Sequence, residues 1–172
     1  MKPNSAEKQA VYILEQYAIR GVPVDVVSLV QQMGLNVAAQ ELEDKVSGFL
    51  IIKNGQAAIG VNQNHHPNRQ RFTVAHELGH YVLHRTLSNI FVDSTLTFYR
   101  DTNSTDGKTL QEIQANAFAA ELLMPETIIR DYLRTYEIDL YDARDVANLA
   151  SKFGVSEQAL TIRLVNLNLI SL

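Results

Sequence analysis

The sequence predicts an α+β fold, with helices around a small β-hairpin sheet, followed by a C-terminal helical subdomain that resembles a helix-turn-helix. Three stretches predict it. Residues 71–84 read as a helix carrying His76-Glu77-Leu78-Gly79-His80, residues 47–62 read as a hairpin turning at Asn54-Gly55, and residues 146–164 read as two helices joined at Gly154. The expected division is a first domain of residues 1–125 and a subdomain of residues 126–172 packed on it.

The composition suits such a fold. A chain of 172 residues with 46% hydrophobic content has the size and apolar share of an ordinary globular protein. A net charge of -4 argues against direct nucleic-acid binding, which leaves a basic footprint. Cysteine is absent, which removes disulfides, thiolate metal sites and cysteine nucleophiles together. Any metal must therefore be held by His, Asp or Glu. The first residues are polar, without the apolar core of a signal peptide, and no run reaches membrane-spanning length. The expected location is the cytoplasm.

Over residues 5–19 Ala10, Ile13, Leu14, Tyr17 and Ala18 repeat at helical spacing, with Ser5 as the N-cap and Gly21 as the stop. A second helix begins near Asp25 and ends at Gly34. The two are expected to form a lid or wall. Residues 35–39 read as a short strand. The hairpin follows, because Asn-Gly between β-prone runs tolerates the positive φ of a tight turn. A strand at the edge of that small sheet would suit pairing with an extended substrate, whereas the plainer reading is a cover for the helices. His65 and His66 fall in a polar loop closed by Pro67, which suits the first turn of a helix.

Chemistry concentrates on residues 71–84. Residues four apart on a helix lie about 40° apart around the axis and one turn along it, so His76 and His80 can share one metal ion. Glu77 projects beside them, within reach of a water. A histidine pair of this kind can also be a hydrogen-bonded core pair. His84 lies one turn beyond His80, about 12 Å by rise from His76, and is expected to be a supporting or surface group. Residues 87–108 turn polar and read as a connecting loop rimming the cleft. Within it Tyr99 is a candidate oxyanion or substrate contact, against the plainer reading of a packed aromatic.

A second helix-forming stretch runs from Leu110 to Pro125. Ile113, Ala117, Ala120 and Met124 read as one apolar stripe, with Ala115 and Ala119 beside Glu112 and Asn116. An ionised Glu112 against alanines is costly unless it meets a cation, and a metal on His76 and His80 would be that cation. The competing partner is an arginine such as Arg71. Asn116, about 40° from Glu112, is placed to accept the free N–H of a ligating histidine. Glu121 lies about 180° from Glu112 and is expected at the surface or on the substrate side. Further helices are expected over residues 126–136, 142–153 and 156–167. The last two read as a helix-turn-helix, but Arg144, Lys152 and Arg163 are balanced by Asp142, Asp145 and Glu157. A neutral unit is a weak phosphate binder, which favours packing or protein docking.

With His76-Glu77-Leu78-Gly79-His80, then Glu112-Ile113-Gln114-Ala115-Asn116-Ala117-Phe118-Ala119-Ala120-Glu121-Leu122-Leu123-Met124-Pro125, the chain resembles the ImmA/IrrE family of metallo-endopeptidases. The resemblance extends to the Leu-Ala-x-x-Phe-x-Val-Ser stretch at 149–156. It implies a zincin-like core and a cytoplasmic protease of bacteria, phages or mobile elements. The implied substrate is a helix-turn-helix repressor, whose cleavage derepresses genes. It implies that His76, His80 and Glu112 hold Zn2+, or another divalent ion such as Mn2+. Glu77 matches the catalytic glutamate and Asn116 the Ala-Asn element that follows the third ligand. The chain looks like the short form, without the long sensor domain of the radiation-response members. The rival reading is a non-cleaving adaptor or anti-repressor on the same fold.

Overall fold

The chain forms α1 (Pro3–Gln16), α2 (Val26–Gln32), β1 (Asn36–Gln40), β2 (Val46–Lys53), β3 (Gln56–Asn62), α3 (Pro67–His84), β4 (Ile90–Ser94), α4 (Asp106–Leu123), α5 (Glu126–Thr135), α6 (Ala143–Phe153) and α7 (Glu157–Asn166). This is the expected α+β class. The structure is a computed structural model that describes residues 3–94 and 106–171.

The strands form one sheet in the order β1-β3-β2-β4, with β1 parallel to β3 and the other neighbours antiparallel. The hairpin turns where the sequence says it should, because Asn54 and Gly55 take φ of 52° and 78°. Its strands are interior, however, so the edges are β1 and β4 and any edge pairing falls to those two. Strand β4 corrects the expected loop: Ile90-Phe91-Val92 pairs with Ile51-Leu50-Phe49 of β2. Alternation along β4 leaves Ile90 and Val92 exposed and turns Phe91 inward.

Helix α3 lies between the sheet and α4, and α1 packs against α4 from behind. Close approach is required at two contacts. Gly79 of α3 faces α4, where a Cβ would stand 3.1 Å from Ala115 Cα. Gly48 of β2 faces α3, where a Cβ would stand 2.4 Å from Thr73 Cγ2. The buried face of α4 is Ala115, Phe118, Ala119, Leu122 and Leu123, whereas Ile113 is 48% exposed. The expected stripe through Ile113 is therefore rotated around the helix, because two long partners, α1 and α3, set which faces are covered.

The helix ends follow local chemistry with two exceptions. Asp25 caps α2 through Ser28 N, Asp142 caps α6, and Ser156 caps α7 through Ala159 N. Gly154 ends α6 in the left-handed region, as Gly34 does after α2. Ser5 lies inside α1 rather than at its cap, and α1 stops at Gln16, before Ala18 adopts a φ of 53°. Both α1 and α2 are a wall rather than a lid, since Ala6, Ala10, Val26, Leu29 and Val30 are fully buried.

Helix α7 is tied into the core by Arg163, which is 2% exposed. Its guanidinium donates to Met124 O at 3.3 Å, to Glu7 Oε1 at 2.9 Å and to Glu121 Oε2. Glu121 is thus a buried partner of a cation and not the surface group that its position opposite Glu112 suggested. Arg71, the rival partner for Glu112, donates instead to Gly154 O and Val24 O. No helix among the described residues is long and apolar enough to cross a membrane.

Candidate metal centre

Helical spacing stacks His76 and His80 on one side of α3, and α4 brings Glu112 against them from across the close Gly79–Ala115 contact. His76 Nε2 and His80 Nε2 stand 3.0 Å apart. Glu112 Oε2 is 3.2 Å from the first, and Glu112 Oε1 is 3.3 Å from the second. Ligands bound about 2.0–2.1 Å from one tetrahedral ion are separated by about 3.3 Å, so these spacings fit a single small divalent cation. Both histidines are 2% exposed, whereas Glu112 keeps 31%, so the cluster opens to solvent on the Glu112 side.

Glu77 supplies a second test of the fit. Its side chain is fully buried, yet neither carboxylate oxygen has a hydrogen-bond partner among the described residues. An unpartnered buried carboxylate is costly. A site that holds a cation and an ordered water beside Glu77 would remove that cost.

Burial and the close packing of imidazoles and carboxylates shift His76, Glu77, His80 and Glu112. Burial lifts Glu77 to about 8, against the pull of His76, and Asp93 and Glu112 add to the rise. Burial also works against a charged His76, but its bond to Glu112 and the nearby Glu77 and Asp93 carboxylates raise it to about 9. Burial would raise Glu112 as well, yet the facing His76 and His80 imidazoles hold it well below the usual carboxylate range. His80 lies below the ordinary histidine value, because burial outweighs the pull of Glu112.

Each imidazole is also held from its far side. His76 Nδ1 meets Asn116 Oδ1 at 3.0 Å, as the position of Asn116 beside Glu112 suggested. His80 Nδ1 meets His84 Nδ1 at 3.2 Å, and the His80 ring stacks on Phe91 with centroids 4.6 Å apart.

Residues 30–165 match the IrrE N-terminal-like domain of the M78 peptidases. The chain belongs to the M78 metallopeptidase family. Among its relatives, metallopeptidase ImmA of Bacillus subtilis is 30% identical over 132 residues, covering 68% of this chain and 71% of that protein. The uncharacterized immunity region protein 2 of Bacillus phage phi105 is 29% identical over 107 residues. That match covers 62% of this chain and 63% of the phage protein. The radiation response metalloprotease IrrE of Deinococcus radiodurans is 33% identical over 99 residues, 56% of this chain but 27% of IrrE. A Mycobacterium tuberculosis transcriptional regulator shares the fold, with a TM-score of 0.64 at 20% identity. It aligns with 94% of this chain and 46% of its own.

Within this M78 domain the structure brings together His76, His80, Glu112, Glu77 and Asn116, while Tyr99 lies outside the described residues. His84, expected as a supporting or surface group, is the former: it is 3% exposed and its Nε2 meets Gln114 Oε1 at 2.9 Å. Sequence reasoning missed three participants, Gln114, Phe91 and Asp93. Phe91 and Asp93 were hidden in the segment read as loop. The β-prone run Ile90-Phe91-Val92 was the available signal, and strand alternation from Phe91 puts Asp93 on the same side of β4.

Proposed function

We propose that this chain is a zinc-dependent endopeptidase that cleaves a partner protein in the cytoplasm, the partner being a helix-turn-helix repressor whose loss derepresses genes. The observation that carries the reading is the convergence of two imidazoles and one carboxylate beside a buried carboxylate that has no hydrogen-bond partner among the described residues. Family membership supports peptidase chemistry. The name of one relative, an immunity region protein of a Bacillus phage, supports a role in controlling a phage or mobile element.

In this reading His76, His80 and Glu112 hold the ion, and Asn116 accepts from His76 Nδ1–H so that Nε2 is free to bind. A bound Zn2+, or Mn2+ in its place, supplies Lewis acidity, making water a better nucleophile and the scissile carbonyl a better electrophile. Glu77 takes the proton of the attacking water and passes it to the leaving amine. The exposed side of Glu112 and the edge strand β4 give an extended peptide access to the centre.

The test incubates purified helix-turn-helix repressors of the host genome with wild-type protein and with Glu77→Gln, and reads them by mass spectrometry for new peptide termini. Wild type should produce them, chelator should abolish them, and Glu77→Gln should bind zinc but cut at least about a hundredfold more slowly. Binding of the repressor without new termini would identify the non-cleaving regulator instead.

A further inference from the structure

We infer that His84 and Gln114 form a positioning relay that sets the tautomer of His80 and thereby aims its Nε2 lone pair into the metal centre. The inference rests on the metal-binding reading proposed above and extends it to two residues outside the ligand set.

Once His80 Nε2 carries its lone pair, every other proton of the relay is fixed. His80 Nε2 stands 3.0 Å from His76 Nε2 and 3.3 Å from Glu112 Oε1, so it is the atom that faces the ion. To bind, Nε2 must carry its lone pair, which leaves the ring proton on Nδ1. That Nδ1–H points at His84 Nδ1, 3.2 Å away, which must then be the acceptor. An accepting His84 Nδ1 puts the His84 proton on Nε2, and this N–H donates to Gln114 Oε1 at 2.9 Å. The chain of donors ends on an amide oxygen, which has no proton to give through the relay. Every member is buried: His80 is 2%, His84 3% and Gln114 3% exposed, so water does not compete for these bonds. The opposite tautomer of His80 would set two bare Nδ1 lone pairs against each other.

The arrangement mirrors the one on the first histidine. His76 Nδ1 reaches the amide oxygen of Asn116 directly, whereas His80 reaches the amide oxygen of Gln114 through one intervening imidazole. Both amides come from α4, the helix that supplies Glu112. Positions 114 and 112 differ by about 200° around that helix, so Gln114 approaches along the opposite flank of the α3–α4 contact. Phe91 closes the remaining face of the His80 ring at 4.6 Å.

The test compares wild type with His84→Phe, which keeps a ring but removes the acceptor. His84→Asn keeps an acceptor and a donor, and Gln114→Leu removes the terminal acceptor. The readouts are zinc affinity by competition with a chromogenic chelator, the His80 tautomer by nitrogen-15 NMR of the metal-free protein, and the melting temperature. Loss of a partner to a ligating histidine weakens metal binding by about 10–100-fold, the range expected for His84→Phe and Gln114→Leu. In both, His80 should lose its uniform Nδ1–H tautomer, and His84→Asn should recover most of the affinity. Should His84→Phe fail to fold, Gln114→Leu carries the same expectation. Zinc affinity within about twofold of wild type in a folded variant would overturn the relay, as would weakened binding with the tautomer unchanged. A wild-type protein that binds no zinc would instead refute the metal-centre reading itself.

Discussion

Substituting alanine for Gly79 tests whether the spacing of two helices sets the metal geometry. A Cβ at this position would lie 3.1 Å from Ala115 Cα, 3.2 Å from Ala115 O and 3.2 Å from Phe118 Cδ1. Two of those atoms are backbone, so no side-chain rotation relieves the contact, and α4 must retreat by a few tenths of an ångström. Glu112 and Asn116 move with it, while His76 and His80 stay on α3. Metal–ligand distances tolerate about 0.2 Å, so the displacement is as large as the tolerance. Folding feels two opposing effects. Alanine gains about 1 kcal/mol of helix propensity over glycine, whereas overpacking costs about 1–3 kcal/mol. Gly79→Ala should therefore change the stability of metal-free protein by no more than about 2 kcal/mol, yet weaken zinc by at least about tenfold. Chelator competition and urea unfolding of the same preparation separate the two effects. Wild-type zinc affinity together with a raised melting temperature would refute the reasoning, since it would mean that α4 can move without disturbing the ligands.

Arg163→Ala should cost about 3–5 kcal/mol in urea unfolding, because it strands the buried carboxylate of Glu121, whereas Arg163→Met combined with Glu121→Leu should recover most of it. A loss under about 1 kcal/mol for the single variant would show that the pair is not the tie it is taken to be. The pH dependence of metal-free protein follows from His76, raised to about 9, and Glu77, raised to about 8. Both hold protons more tightly when folded, so their contributions are complete below the unfolded values of 6.5 and 4.5 and vanish as pH climbs through about 8 to 9. Chelator-treated protein should lose up to about 1.4 kcal/mol per pH unit for each group across that window. Zinc-loaded protein should not show this loss; a flat profile without metal would remove the electrostatic account.

What was legible in the sequence was mostly what a single segment decides by itself, the cap expected at Ser5 being an exception. The His76/His80 pair, the Asn54-Gly55 turn, the caps at Asp25 and Ser156 and the stop at Gly154 are each fixed by residues a few positions apart. What was not legible depends on a partner supplied from a distance. For His84 a supporting and a surface role both stayed open, because the amide of Gln114 that meets it comes from another helix. Strand β4 looked like loop because its pairing partner, β2, lies about forty residues earlier. Helix α4 holds both cases. Glu112 and Glu121 occupy opposite faces of an alanine-rich helix, and the cost of burying a carboxylate applies to each of them. Applied to Glu112, that cost pointed to a cation and to the candidate centre with His76 and His80. Applied equally to Glu121, it would have required a second cation and pointed to Arg163, the residue that draws α7 onto the back of the same helix. The helix that lends a carboxylate to the candidate centre on one face is thus anchored through a carboxylate on the other, so a loss at Arg163 should reach Glu112 through α4.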